Sequence, residues 1–220
     1  MDSLRRRLMH CGVDEAGRGS VMGPLIVAAV YTEDDAPLAK IGVKDSKKLS
    51  PKVREAMFAE ITASFGYRII IATAADIDER RKRASLNIIE LEMFAEAASA
   101  FDAGTVYADC PDPNEMMFSS ALSVKLGGKN VVGRHKADDT YPSVSAASIV
   151  AKVTRDRMMA DISAGFGVDV GSGYPSDEVT MQFIEKWIKD KGCPPLHTRC
   201  SWEPIRHLMS ASRNTKLTDW

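Results

Sequence analysis

The chain has 220 residues, 45% of them apolar and 27% charged, enough to bury one substantial core. A formal net charge of −1 excludes a globally basic nucleic-acid binder, so any polyanion must be met by a local patch. No run approaches the roughly 20 apolar residues of a spanning helix, Met1 to Arg7 is charged rather than apolar, and four cysteines without paired spacing suit free thiols; the expectation is a cytoplasmic protein with no membrane attachment.

The first strand is expected at "MHCGVD" and the second at "MGPLIVAAVYT". Only a glycine-rich turn separates them, so they should form a hairpin. The acids Asp14 and Glu15 close the first run. Adjacent side chains on a strand point to opposite faces, so the two can serve one site only if the strand ends there. Gly17, Gly19 and Gly23 miss the dinucleotide-binding spacing by one residue, and a strand rather than a helix follows them. No G-K-[ST] closes the run as a phosphate-binding loop requires. What remains is a turn whose bare amides can approach a sugar or phosphate closely.

Next comes "VKDSKKLSPKVR", a candidate basic patch with Lys44, Lys47, Lys48, Lys52 and Arg54, though such runs are more often a solvated face. A helix is signalled by "SPKVREAMFAEITASFG", with Ser50 as cap, Pro51 in the first turn and Gly66 as stop. Then follow strand "YRIIIATA", helix "SLNIIELEMFAEAASAF", strand "GTVYADC" ending at Asp109, helix "DPNEMMFSSALSVKL" and strand "NVVGRH". Asp138 and Asp139 stand just before the helix "PSVSAASIVAKVTRDRMMADISAG", which carries Lys152, Arg155 and Arg157. The last helix with clear signals is "SDEVTMQFIEKWIKDKG", capped by Ser176 or Asp177 and ended by Gly192. Cys193, His197 and Cys200 in "CPPLHTRC" could be three zinc ligands, but they fit no common finger spacing. A Cys193–Cys200 disulfide is a second alternative, and unpaired residues are favoured over both.

This order of elements gives a mixed sheet covered by helices, with a helical C-terminal third. In open α/β sheets the ends of neighbouring strands face a common crevice. Asp14, Glu15, Asp109 and Asp138 converge there if their strands are neighbours. Clustered carboxylates repel, and burial raises their pKa values unless cations neutralise them. Oxygen ligands of this kind favour Mg²⁺ or Mn²⁺. The bland alternative for any one acid is a helix cap or a solvated turn; it holds for Asp139 and is weakest for Asp14, inside an otherwise apolar strand.

The blocks "GVDEAGRGSVMGPLIVAAV", "VKDSKKLS", "VYADC", "HKADDTYPSVSAASIVAKVTRDR", "GSGYPSD" and "HTRCSWEPIR", in this order, resemble ribonuclease H type 2 in the form called ribonuclease HII, particularly its archaeal branch. The resemblance spans roughly residues 10 to 206. It implies an α/β fold with a ribonuclease H-like mixed five-stranded sheet flanked by helices. The implied organisation is a catalytic domain over residues 1–175, a helical part over 176–210 packed on it, and a flexible tail over 211–220.

The resemblance also implies an endoribonuclease that cuts the RNA strand of RNA:DNA hybrids and cuts at ribonucleotides embedded in duplex DNA. Its four metal-binding acids fall on Asp14, Glu15, Asp109 and Asp138, with two ions, Mg²⁺ or Mn²⁺, roughly 3.5 to 4 Å apart during catalysis. Asp14 would lie between the ions, Asp138 on the water-activating side, and Asp109 with Glu15 on the leaving-group side. Products would carry 5′-phosphate and 3′-hydroxyl ends. Gly17, Arg18 and Gly19 would read the 2′-hydroxyl that only RNA offers, and Tyr174 would pack against a sugar. Lys47, Lys48 and Lys152 are the candidate phosphate contacts, with Ser46 and Ser148 weaker; Arg199 and Trp202 are read as packing. Two alternatives are another metal-dependent nuclease of this fold acting on DNA and a hybrid-binding module without turnover. Finally, Asn214, Leu217 and Trp220 resemble a sliding-clamp-binding peptide, with Asn in place of Gln and one aromatic instead of two. The competing reading of that tail is a terminus packed on its own domain.

Overall fold

A computed structural model describes residues 9–43 and 50–217, with side chains through 212. Lys44, Ser46, Lys47, Lys48 and Trp220 lie outside the described residues, as do the side chains of Asn214 and Leu217.

The two apolar runs joined by the glycine-rich turn do pair. Strands β1 (His10–Ala16) and β2 (Leu25–Thr32) are antiparallel, in register from His10 opposite Thr32 to Ala16 opposite Ile26. Every residue of β2 is buried, which explains its unbroken apolar run. Strands β3 (Gly66–Ala72), β4 (Thr105–Asp109) and β5 (Asn130–Arg134) complete a five-stranded sheet of order β3-β2-β1-β4-β5. β4 runs parallel to both β1 and β5, as helical crossovers require.

The helices are α1 (Ala36–Ile41), α2 (Pro51–Ser64), α3 (Ala74–Arg80), α4 (Leu86–Ser99), α5 (Glu115–Lys125), α6 (Pro142–Phe166), α7 (Glu178–Lys191) and α8 (Glu203–Leu217), with a 3₁₀ turn at Ala137–Asp139. Their starts follow the expected chemistry. The side chains of Ser50, Ser85, Asn114 and Asp177 accept from amides in the first turns of α2, α4, α5 and α7, each worth about 1 kcal/mol. Gly192 closes α7 in the left-handed region. Two short helices, α1 and α3, went unread in the sequence. α3 starts with a capping box in which Thr73 and Asp76 serve each other's amides. α8 continues to Leu217, into the stretch expected to be a tail. Among the described residues no helix is long and apolar enough to cross a membrane.

The chain forms two compact units. One comprises Met1–Ala16, Ile26–Ile71 and Ser85–Thr154 and holds the sheet. The other comprises Gly17–Leu25, Ala72–Ala84 and Arg155–Trp220, so the turn of the β1–β2 hairpin clusters with the C-terminal helices. The core of this second unit gathers Val21, Met22, Met159, Ile162, Val170, Ile184, Ile188 and Ile205.

Candidate active site and ribose-recognition turn

In the sheet unit the parallel register sets Gly12 beside Tyr107 and Val13 beside Ala108. By strand alternation Asp14 and Asp109 then share a face. β1 does not end at its acids, as the sequence argument required; it stays paired to β2 through Ala16. It parts from β4 after Val13, however, and beyond that point the two carboxyls meet: the side chains of Asp14 and Glu15 are hydrogen-bonded to each other. Asp14 Oδ1 also accepts from the Glu15 amide at 2.7 Å.

Gly12 has a structural reason in the same strand. A Cβ there would collide with the backbone of Ser143 and Val144, so its absence lets the first turn of α6 press onto β1. That helix delivers Ser148, whose side chain hydrogen-bonds Asp14. Ser148, a weaker candidate for phosphate contact in the sequence, thus has Asp14 as a hydrogen-bond partner.

Asp109 ends β4, and its Oδ1 accepts from the Ala137 amide at 2.9 Å. This bond ties the end of β4 to the 3₁₀ turn that carries Asp138. Asp138 is buried and its carbonyl accepts from Ser145 Oγ, whereas Asp139 is exposed. The choice of Asp138 over its neighbour thus agrees with burial.

The electrostatics are those of an unneutralised acid cluster. Burial, then the charge of Asp109, push Asp14 up to about 7 against hydrogen bonds from Ser148 and Glu15. Glu15 is held well above its usual range by burial and by Asp14, Glu90 and Asp109. Glu90 is a further acid that the sequence reading missed. It is fully buried on α4 among Ile89, Met93 and Phe94, and an acid inside a helix's apolar face was the available signal. Among the described residues, no three His, Cys, Asp or Glu side chains are already gathered at ion-holding spacing. The donor set nevertheless fits a hard divalent cation: carboxylate oxygens on strand ends, with Glu15 Oε2 buried and lacking a hydrogen-bond partner.

The second unit holds the other expected residues. Gly17 lies at φ 90°, and a Cβ on it would collide with Arg155 Nε and Pro24 O. Its bareness therefore serves internal packing rather than a ligand's approach. Gly19 is the open position, exposed and with nothing within 4 Å of where a Cβ would stand. Arg18 is half-buried between them. The Tyr174 ring stacks on the Arg155 guanidinium at 4.7 Å, and Arg155 Nη2 donates to the carbonyls of Met22 and Ser172. Lys152 is exposed on α6. Cys193 and Cys200 are free thiols, and the Cys200 amide donates to Asp78.

The strand order and the acids at the ends of parallel neighbours define a ribonuclease H-like protein. The family model for ribonuclease HII matches residues 11–205. The chain belongs to the ribonuclease HII family, and it is accordingly an endoribonuclease of the ribonuclease H type, directed at the RNA strand. It is 45% identical to ribonuclease HII of Methanospirillum hungatei JF-1, over 96% of this chain and 100% of that one. Among solved structures it is similar to the ribonuclease H2 of Pyrococcus horikoshii OT3, with 38% identity, TM-score 0.87 and coverage of 93% and 99%. It is equally similar to ribonuclease HII of Archaeoglobus fulgidus, determined as a complex with PCNA, with 40% identity, TM-score 0.85 and coverage of 90% and 96%.

Proposed function

We propose that the protein cleaves RNA paired with DNA and also cuts at single ribonucleotides within duplex DNA, leaving 5′-phosphate and 3′-hydroxyl ends. The observation that carries the catalytic part is the clustering of buried Asp14 with half-buried Glu15 and Asp109, whose charges act on one another, with buried Asp138 fixed next to the bond that anchors Asp109. These four residues would hold two divalent ions, Mg²⁺ or Mn²⁺. Bound there, such ions supply charge neutralisation at the phosphate and acidify a water.

The chain's own contribution is to fix the ligands before substrate arrives. Ser148 and the Glu15 amide hold Asp14, the Ala137 amide holds Asp109, and Ser145 holds the Asp138 backbone. Only Ala16 separates Glu15 from Gly17, so the acids and the turn are neighbours in the sequence. The turn Gly17–Arg18–Gly19 reads the ribose 2′-hydroxyl, and Tyr174 packs on a sugar. Lys152 contacts phosphate, as would Lys47 and Lys48. A site built to bond a hydroxyl can reject the deoxy analogue by about 10⁴ to 10⁵.

The test uses a duplex carrying one ribonucleotide beside its all-DNA counterpart, each with Mg²⁺, Mn²⁺ or chelator. Cleavage only beside the ribonucleotide, and only with a divalent ion, is expected. Comparable cutting of the all-DNA duplex would move the protein to the DNA-nuclease alternative.

A sliding clamp is the proposed protein partner, engaged through Leu217 and Trp220. The Archaeoglobus relative's complex with PCNA supports that reading. Removing residues 217–220 should leave oligonucleotide cleavage intact and abolish clamp binding in calorimetry. Equal affinity with and without them would discard it.

A further inference from the structure

The turn's conformation is enforced by an arginine whose block was read from sequence as packing. Arg199 is fully buried, and its guanidinium donates to three backbone carbonyls of this turn. Nη2 donates to Gly17 O at 2.7 Å, Nη1 to Arg18 O at 2.9 Å, and Nε to Gly23 O at 3.1 Å. Its own amide donates to Val21 O at 2.8 Å. One planar fork thus ties Gly17 and Arg18 to Gly23 across the turn, a geometry that an ammonium cannot copy.

The fork is itself held firmly. Its plane lies against the Trp202 ring at 4.9 Å, and Arg81 approaches that ring at 5.0 Å. Asp78 on α3 accepts from the amides of Cys200 and Ser201 and from Ser201 Oγ. The segment carrying Arg199 is therefore tied to a helix as well as to the turn.

The consequence follows from peptide planarity. In a trans peptide the carbonyl of one residue and the amide of the next point in opposite directions, and the described chain has no cis bond. With the carbonyls of Gly17 and Arg18 both turned toward Arg199, the amides of Arg18 and Gly19 are both turned away from it. Two successive amides facing one side make a concave donor pair suited to an oxygen, and the space beside Gly19 is open.

We propose that Arg199 is a positioning residue for ribose recognition: by fixing the Gly17 and Arg18 carbonyls it presents the Arg18 and Gly19 amides together to a 2′-hydroxyl. The proposal rests on the reading that this turn meets the ribose. Its chemistry predicts a loss confined to substrates that carry the hydroxyl, because the phosphate contacts are made elsewhere.

The experiment compares full-length wild type with Arg199→Lys. Affinity is measured in chelator by fluorescence anisotropy for a duplex with one ribonucleotide and for the identical all-DNA duplex. Arg199→Lys should weaken binding of the ribonucleotide duplex by about tenfold, the worth of roughly one hydrogen bond, and leave the all-DNA affinity unchanged. An equal loss on both duplexes, or none on either, overturns the role. A wild type without preference for the ribonucleotide duplex would reject the reading of the turn itself. A preference that survives in Arg199→Lys rejects only the role of Arg199. Should Arg199→Lys fail to fold, Trp202→Leu removes the stacking face while keeping the donors, and it should show the same selective loss, smaller in size; an equal loss on both duplexes there also overturns the proposal.

Discussion

The two units solve opposite problems of buried charge. In the sheet unit Asp14 and Glu15 are drawn together with Asp109 nearby, and burial plus mutual repulsion lift both toward their neutral forms. In the other unit the buried cations Arg155 and Arg199 are each met by backbone carbonyls and an aromatic face. A buried charge must be paired or hydrogen-bonded. Arg199 meets that requirement from within the chain through three carbonyls, and Arg155 meets it through Nη2 while its Nε is left without a hydrogen-bond partner. The acids meet it only in part, with Asp14 and Asp109 accepting from amides and Glu15 Oε2 buried without a hydrogen-bond partner, which suits the proposed site that cations would complete. Under the proposed function, recognition would be finished before substrate arrives and chemistry would be completed by what binds.

The largest expected effect tests the acid side. Asp109→Asn keeps an acceptor for the Ala137 amide and removes only the charge. It should lower turnover by about a hundredfold or more, roughly 2.7 kcal/mol of transition-state stabilisation, with little change in melting temperature. Turnover within about threefold of wild type would take Asp109 out of the chemistry. Gly17→Ala addresses the arginine side. A methyl forced into the left-handed region and against Arg155 and Pro24 should destabilise by about 2–4 kcal/mol. Denaturant unfolding measures it, and an unchanged midpoint would show that the turn is not rigidly held.

A third, smaller effect is pH-dependent. Asp14 is pushed from 3.8 up to about 7 in the folded chain, so between those values the folded state holds a proton that the unfolded state has released. Stability of the metal-free protein must therefore fall as pH rises through that window. Melting temperatures in chelator should decline across it, Asp14→Asn should flatten the decline, and Mn²⁺ should restore stability above the window but not below it. Identical slopes for wild type and variant would contradict the unneutralised cluster. The smallest effect is that of Lys152→Ala, which should flatten the salt dependence of hybrid binding by about one phosphate's worth. An unchanged slope would return Lys152 to the solvated surface.

Much of this comparison was legible in the sequence, unevenly. The strands could be read because apolar runs are bounded by turn residues, and the acids because Asp14 interrupts such a run and Asp109 ends one. Asp138 was separable from Asp139 only through the resemblance of "HKADD" to the family's block, and burial agrees. What escaped were features whose cause is tertiary. The short helices α1 and α3 have too few residues to show a period. Gly12 looks like a weak strand residue until α6 lies on it, and Glu90, although it sits in the apolar face of its helix, acts on Glu15 only once the chain is folded. Arg199 is far from Gly17 in the chain, so nothing local marks it as the donor to that turn. The bareness of Gly17 was read from the ligand's side, and the structure assigns it to Arg155 and Pro24 instead.

The division of labour between acids and turn is tested most directly by the affinity of Asp14→Asn for a duplex with one ribonucleotide and for its all-DNA counterpart, measured beside its cleavage rate. Asn keeps the acceptor for the Glu15 amide and leaves Gly17, Arg18 and Arg199 untouched. The expected result is cleavage reduced to less than about a tenth, a loss above ~1.4 kcal/mol, with the wild-type preference for the ribonucleotide duplex preserved. Loss of that preference together with cleavage, or cleavage retained at the wild-type rate, would contradict it.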